Sequence, residues 1–392
     1  MEPPETPPLS SSRLAPQKVL TAYYRFKPDG FCKRFRLMIE AYLDKGWTVH
    51  YIAVDAYPFE HENLVPHILP TPMKARTGLP FWIYFCTLTP WYLLWVGWKN
   101  QVSLLSVGSP LYAFLSGLAK FALKVPLLTF IFITPSSNSK WKNQYRFIRR
   151  GEDLTDRLGL SFSDVLLANS WGSRKAWAEK YHHHGIDVLP NNVEDHPFNK
   201  EAQREKVLRE FKLRDDAFLI STSGVLVPRK NHECLVLALA KSKNPRAVVL
   251  IMGDGPLKNN LSNLAQTLGV GDRVLLAGYR PDTISLIQGS DLFIFPSYAE
   301  GMAESLLEAT TCRIPCLVSS IPENMDVIQN SGQHFHPDHP EQLAGLIDRL
   351  MDDPSYYQDM LQTTQDEKKR FVFDWKQRLI EKVAPLLAHR PT

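Results

Sequence analysis

The sequence predicts an α/β fold of two Rossmann-like, doubly wound domains, on three observations. At 392 residues the chain exceeds the size at which one core keeps growing, so two domains are expected. It opens with an apolar run, an amphipathic stretch and a second apolar run over residues 19–54, which reads as a β-α-β unit. From residue 217 to 318, apolar runs alternate with helical periodicity, the pattern of a parallel sheet wrapped by crossover helices.

Taken in order, residues 1–17 carry four prolines before Arg13 and no apolar core, and read as a disordered lead rather than a signal peptide. The first domain is expected over 18–193. Val19–Tyr23 is a strand, residues 25–31 a loop, and Cys32–Lys45 a helix with Phe35, Met38, Ile39, Tyr42 and Leu43 on one face. Gly46 stops it, and Trp47–Val54 is the next strand. Leu79–Trp98 has no formal charge, six Trp or Tyr residues and Pro90 near its middle. Three readings stay open for it: a transmembrane helix, a buried core helix, or a helix lying in a membrane interface with its aromatic belt at headgroup depth. Spanning would put the strands of 19–54 opposite the rest of their sheet. Gln101–Val107 is a strand, Leu111–Leu123 a helix, Val125–Thr134 a central strand, Asp164–Asn169 another strand, and Ser170 can cap a helix from Trp171.

A hinge is expected at 187–193 and a second domain over 194–372, beginning with a charged stretch to Asp216. Its strands are expected at Ala217–Ser223, Ala247–Met252, Arg273–Ala277, Leu292–Phe295 and Pro315–Val318. Helices are expected at Asn231–Lys241, Pro256–Leu268, Thr283–Gln288, Met302–Thr311, Pro340–Met351 and Ser355–Leu387.

The net charge is only +4, but basic residues cluster in the first half: Lys33, Arg34 and Arg36; Lys74 and Arg76; Lys140, Lys142, Arg146, Arg149 and Arg150. They suit a solvated face or an anionic surface. Five cysteines without framework spacing suggest reduced thiols in the cytoplasm, and Cys312 and Cys316 flank a helix-to-strand turn as packing residues. His182, His183 and His184 are consecutive, so on a helix they point apart and do not share one ion.

The most informative stretch is Leu292–Cys316, a strand ending at Pro296-Ser297, then a loop and a helix. Such a junction offers unpaired N–H groups to a phosphate. Glu300, Glu304 and Glu308 are spaced by four, and no Lys or Arg follows before Arg313. Either they form a solvated acidic stripe or sugar hydroxyls answer them. Helical Glu300 and Glu308 would lie about 12 Å apart, roughly a nucleotide sugar's span from hexose to ribose.

Glu300-Gly301 through Glu308-Ala309 resembles the E-x7-E signature of retaining GT-B glycosyltransferases, especially glycosyltransferase family 4, the glycosyl transferases group 1. Ser223-Gly224 with Pro228-Arg229-Lys230 resembles the family's phosphate-binding segment. Met252-Gly253-Asp254-Gly255-Pro256 resembles its GxGP turn, and Gly278-Tyr279-Arg280 follows in order. The resemblance implies a GT-B fold with two domains facing across a cleft, and residues 373–392 as a helix packing back on the first domain. It implies a retaining hexosyltransferase using a nucleotide-diphosphate sugar, UDP before GDP, with a lipid-linked or cell-surface glycan as acceptor. No cofactor, metal or nucleic acid is expected.

Catalytic residues would be Glu300, at the donor hexose, and Lys230 and Arg229, at the leaving diphosphate. Donor-binding residues would be Glu308, at the ribose, with Gly301, Met302, Ala303, Glu304, Gly224, Gly253, Tyr279 and Arg280; the backbone N–H groups of 302–304 would receive oxygens. The acceptor side would include Gly30, Lys33 and Thr134. Asp187–Val193 resembles the family's PNGV segment, with Asn192 at a position of positive φ. Three departures stand out. Val225 occupies a usual Arg position, leaving Arg229 either to turn inward or to lie on the surface. Thr134–Ser139 replaces a His-bearing loop, and the first loop has only Gly30. A non-catalytic GT-B protein binding a nucleotide or partner is the alternative. The cytoplasmic location, peripheral on a membrane, is expected from the aromatic stretch and basic clusters.

Overall fold

The computed structural model describes residues 15–25, 30–56, 59–73, 78–132, 134–135 and 146–388, without side chains at 146–149. The lead to residue 14, Lys74, Arg76, Lys140, Lys142, Ser136–Ser139 and the side chains of Arg146 and Arg149 therefore lie outside the described residues.

Two parallel sheets organise the chain. The first contains β1 (Lys18–Ala22), β2 (Thr48–Ala53), β3 (Leu64–Ile68), β4 (Leu104–Val107), β5 (Leu127–Ile131), β6 (Val165–Ala168) and β7 (Ile186–Val188), in the order β3-β2-β1-β4-β5-β6-β7. The second contains β8 (Phe218–Ser223), β9 (Ala247–Met252), β10 (Val274–Gly278), β11 (Leu292–Phe295), β12 (Cys316–Ser319) and β13 (His334–Phe335), in the order β10-β9-β8-β11-β12-β13. Both orders reverse direction beside their first strand, the doubly wound arrangement expected. β3 was not expected: Pro66 argues against a central strand, but β3 is at the sheet edge, where a missing N–H is tolerated.

The helices are α1 (Gly30–Leu43), α2 (Leu79–Asn100), α3 (Pro110–Leu123), α4 (Arg146–Phe162), α5 (Trp171–Tyr181), α6 (Lys200–Glu210) and α7 (His232–Lys241). They continue with α8 (Lys258–Thr267), α9 (Thr283–Gln288), α10 (Glu304–Thr311), α11 (Pro322–Met325), α12 (Pro340–Asp352), α13 (Pro354–Lys368) and α14 (Trp375–Ala388). The long helix expected over Ser355–Leu387 is two helices, α13 and α14, separated by a 3-10 turn at Lys369–Phe371. Ser170 caps α5, accepting from Ser173 N–H at 3.0 Å. Asn192 does not have positive φ; its side chain donates to the Phe373 carbonyl at 3.1 Å.

The chain forms two compact units, one of residues 1–130, 152–165 and 376–392, the other of 131–151 and 166–375. The expected division at 193 thus differs from this one, because residues 131–151 and 166–193 group with the second unit.

In the first unit, α2 runs unbroken through Pro90 and packs against α3. Phe81, Phe85, Thr89, Leu93, Val96 and Gly97 form its buried stripe. Leu79, Ile83, Trp91, Trp95 and Trp98 are exposed, as is Phe121 of α3; Trp91 is 64% and Trp98 69% exposed. The core-helix reading therefore holds for one stripe only. By length and composition α2 is also long and apolar enough to cross a membrane.

In the second unit, β8, β9, β11 and β12 carry the core. Ile220, Val249, Ile251, Leu292 and Ile294 pack beneath α7 and α12, while Leu219, Leu250, Phe293 and Phe295 pack with α10 on the other face. The period-two alternation sends successive residues to opposite layers. Cys312 and Cys316 belong to this core, and all five cysteines are free thiols.

Candidate active site

β11 lies between β8 and β12, so its C-terminal end is enclosed by the loops that follow both neighbours. α10 begins only at Glu304, which leaves Glu300 in the preceding loop rather than on a shared helical face. Glu304 and Glu308 are on α10; Glu300 is 6% exposed. Its stripe-mate role on a solvated surface is thus excluded, and cations do answer it. Arg229 Nη1 lies 2.9 Å from Glu300 Oε2, and Lys230 Nζ lies 2.9 Å from Oε1.

These cations come from the 3-10 turn Pro228–Lys230 that leads into α7. Asn231, at φ 51°, ends that turn and donates to the Pro296 carbonyl at 3.2 Å, while Tyr298 N–H donates to the Arg229 carbonyl at 2.9 Å. Asn accepts this left-handed geometry better than most side chains. Arg229 also donates to the Ala299 carbonyl at 2.6 Å, so it has turned inward. Val225 is exposed.

Burial alone would raise the Glu300 pKa, but Lys230 first and Arg229 next hold it below the ordinary value. Burial draws the Lys230 pKa down, with Glu300 opposing. The trio leaves one uncompensated positive charge, two cations against one carboxylate. His232 adjoins it: it is buried, its Nδ1 has no partner, and burial, then Lys230, lowers its pKa to about 3.

Gly224, Gly253 and Lys230 are brought together. Gly224 N–H donates to the Met252 carbonyl at 2.9 Å, and a Cβ on Gly253 would stand 1.9 Å from the Gly224 carbonyl oxygen. Only glycine permits that approach. A Cβ on Gly301 would similarly stand 1.9 Å from the Phe132 carbonyl oxygen, so β5's continuation presses on the Glu300 loop. There Thr134 Oγ1 donates to the Glu300 carbonyl at 3.2 Å. Thr134, expected on the acceptor side, therefore joins the Glu300 loop within the second unit.

The Met302 N–H is not available as expected. With the Asn169 amide oriented to satisfy its neighbours, Asn169 Oδ1 accepts from Met302 N–H at 3.1 Å and Nδ2 donates to the Ile131 carbonyl at 3.3 Å. Asn191 Nδ2 donates to the Met302 carbonyl at 3.0 Å and to Glu304 Oε1 at 2.8 Å. Ala303 is the N-cap of α10 and makes no side-chain cap, so its first-turn N–H groups face no capping side chain. Glu308 is half-buried, one turn beyond Glu304.

Arg280 does not join this group. It bonds Asp282 at 2.8 Å and pairs with Glu210, which commits its guanidinium to a separate network. Tyr279 is exposed beside Gly278. Gly30 opens α1 and Lys33 is exposed on it, both in the first unit.

Two contributors were missed in sequence. Asn169 looked only like a strand end. Glu323, in the Ile321-Pro322-Glu323 run after β12, carried no signal beyond proline at a helix start. It is buried against the same loop; burial first, then Glu300 and Asp326, raise its pKa to about 7.

A family model described as glycosyl transferases group 1 matches residues 203–367. Over 191 residues the chain is 31% identical to a UDP-Gal:alpha-D-GlcNAc-diphosphoundecaprenol alpha-1,3-galactosyltransferase of Escherichia coli, covering 46% of each chain. The alignments with such curated relatives span about half their length. Two solved structures match nearly throughout. HepE of Anabaena in complex with UDP gives a TM-score of 0.76 at 18% identity, covering 94% of this chain and 100% of that one. Sucrose-phosphate synthase of Thermosynechococcus elongatus gives 0.77 at 18%, covering 95% and 100%. The chain therefore has the GT-B fold and carries, over residues 203–367, a glycosyl transferases group 1 domain.

Proposed function

We propose that the chain is a retaining hexosyltransferase. It takes its sugar from a nucleotide-diphosphate donor, UDP-linked by preference, and passes it to a lipid-linked or cell-surface glycan. The observation that carries this reading is the Glu300 carboxylate held between Arg229 and Lys230 beside the Gly224–Gly253 contact. The UDP complex of HepE and the diphosphoundecaprenol named for the Escherichia coli relative support the donor and acceptor classes.

The chemistry follows from charge. As the bond from the anomeric carbon to the diphosphate oxygen breaks, negative charge grows on the leaving group, and the residual cation of the trio opposes it. The acceptor oxygen bonds the same carbon from the departing face, and its proton passes to the diphosphate oxygen. Glu300 orients the two cations and meets the hexose; Glu308 receives the ribose hydroxyls. The first-turn N–H groups of α10, from Glu304 onward, offer donors aided by the helix dipole, while the Met302 N–H before the cap is taken by Asn169. No metal is needed in this scheme, so chelator should leave turnover unchanged.

The chain would work at a cytoplasmic membrane face, held there through α2. Support comes from the exposed Trp91, Trp95 and Trp98, with Lys99 over the Trp95 ring at 5.1 Å.

The test is transfer from a panel of UDP- and GDP-sugars to a diphosphate-lipid acceptor, with thermal shift by the free nucleotides. UDP at about 100 times its dissociation constant should add about 2.7 kcal/mol. Glu308→Ala should chiefly weaken donor binding. Nucleotide binding without transfer or donor hydrolysis would point instead to a non-catalytic GT-B binding protein.

A further inference from the structure

We infer that the buried carboxyl of Glu323 is a positioning residue that fastens the Glu300 loop through the Thr134 hydroxyl, and does so only while it holds its proton. The inference rests on the donor-site reading above. Glu323 stands in the first turn of α11 and is 6% exposed. A Cβ on Gly172 would lie 3.0 Å from the Glu323 nitrogen, so α5 presses directly on this backbone. The Glu323 carboxyl is in hydrogen-bonding reach of Thr134, and Thr134 Oγ1 reaches the Glu300 carbonyl at 3.2 Å.

A threonine hydroxyl has one proton to give. With Glu323 protonated, its O–H donates to Thr134 Oγ1, and Thr134 donates onward to the Glu300 carbonyl. The relay then runs in one direction with each proton used. With Glu323 ionised, the carboxylate only accepts. It takes the Thr134 proton, the Glu300 carbonyl loses its donor, and a second negative charge faces the Glu300 carboxylate.

The surrounding charges favour the protonated form. Glu300 faces Glu323 from the loop after β11, and Asp326 faces it from the end of α11. Arg229 and Lys230 are engaged by Glu300. Arg370 donates to the Asp326 carbonyl at 3.0 Å, the Asp326 carboxylate accepts from Gly172 N–H at 2.6 Å, and the α5 contact is the uncharged Gly172. Burial, and after it Glu300 and Asp326, bring the group to about 7, against the opposing pull of its own N–H and of the Thr134 hydroxyl, both of which favour the carboxylate. The clasp would be part open at neutral pH.

UDP affinity measured from about pH 6 to about pH 8.5 tests this, since one hydrogen bond lost from the loop corresponds to about five- to tenfold. Wild type should weaken by that factor through a midpoint near 7. Glu323→Gln keeps a donor toward Thr134 at every pH, so its profile should be flat at the wild-type low-pH level. Glu323→Ala and Thr134→Val should be flat at the weak level. An alkaline limb in Glu323→Gln identical to wild type, or full affinity in Glu323→Ala, would overturn the inference.

Amide exchange of residues 299–302, comparing wild type with Glu323→Gln at each pH, needs no donor. The two should match at low pH, and wild type should be the less protected at high pH. If UDP binds at no pH, the donor-site reading fails, while the exchange comparison still decides the clasp. Equal protection at both pH values refutes it.

Discussion

The loop around Glu300 and the outer face of α2 depart from ordinary burial in opposite directions. The loop buries the Glu300 carboxylate against two partly exposed cations of the 228–230 turn and packs glycine against carbonyl, whereas α2 leaves three tryptophans in solvent. Removing a partner from a buried ion pair costs about 3–5 kcal/mol, and each exposed large apolar side chain forgoes about 1.5–3 kcal/mol of burial. A chain selected for stability alone would reverse both choices. On the proposed function, the difference would separate two tasks: charge held in place for a reaction, and apolar surface kept available for a lipid phase.

The sharpest way to break this comparison is to remove the charges. Glu300→Gln and Lys230→Ala should each lower kcat by about 100-fold or more, measured by transfer assay, with circular dichroism confirming a folded chain. Wild-type rates in either variant would make the trio merely structural. Arg229→Ala should cost about tenfold in kcat/KM, as expected for one charged contact, and Val225→Arg should restore nothing because residue 225 points to solvent. On the other side of the comparison, Trp91→Ser and Trp98→Ser should each lower partitioning onto anionic vesicles by about tenfold while transfer to a water-soluble acceptor stays intact. Binding that falls with salt is expected from the neighbouring Lys99. The smallest effect belongs to Arg280→Ala, which should change donor use by less than about twofold, since that guanidinium serves Asp282 and Glu210.

Stability against pH offers a separate check on Glu323. Its folded pKa of about 7 lies above the ordinary 4.5, so the folded state keeps the proton through a window in which the unfolded chain has lost it. Its contribution is complete below 4.5 and is lost as pH rises to 7. Glu323→Gln should flatten the melting-temperature profile across that window.

Much of the second unit was legible in the sequence. The strands Ala247–Met252 and Leu292–Phe295 and the helix Thr283–Gln288 stand where periodicity placed them, because each is bounded by a turn residue and buries one consistent face. Gly224, Lys230 and Glu300, singled out separately by their motifs, come together in the structure, which no motif stated. What failed was long-range pairing. The sequence around Glu300 shows only more glutamates, and the cations that answer it come from Arg229 and Lys230, about seventy residues upstream. Arg280 followed the motif in order, yet its local partners Asp282 and Glu210 hold it elsewhere. Asn192 shows the same limit, since a backbone angle depends on the neighbours that satisfy its side chain. For α2, uniform apolarity concealed which face was buried, because no polar residue marked the other.

The discontinuity of the first unit has a consequence for synthesis. Lys376 Nζ lies 2.9 Å from Asp44 Oδ2 and 3.3 Å from Glu40 Oε2, within a unit whose other residues end at 165. During vectorial translation that unit waits for more than half the chain to emerge before its final helix is available. α1 would meanwhile leave the ribosome without this late partner, and a truncation after residue 375 would remove material from the first unit rather than the second.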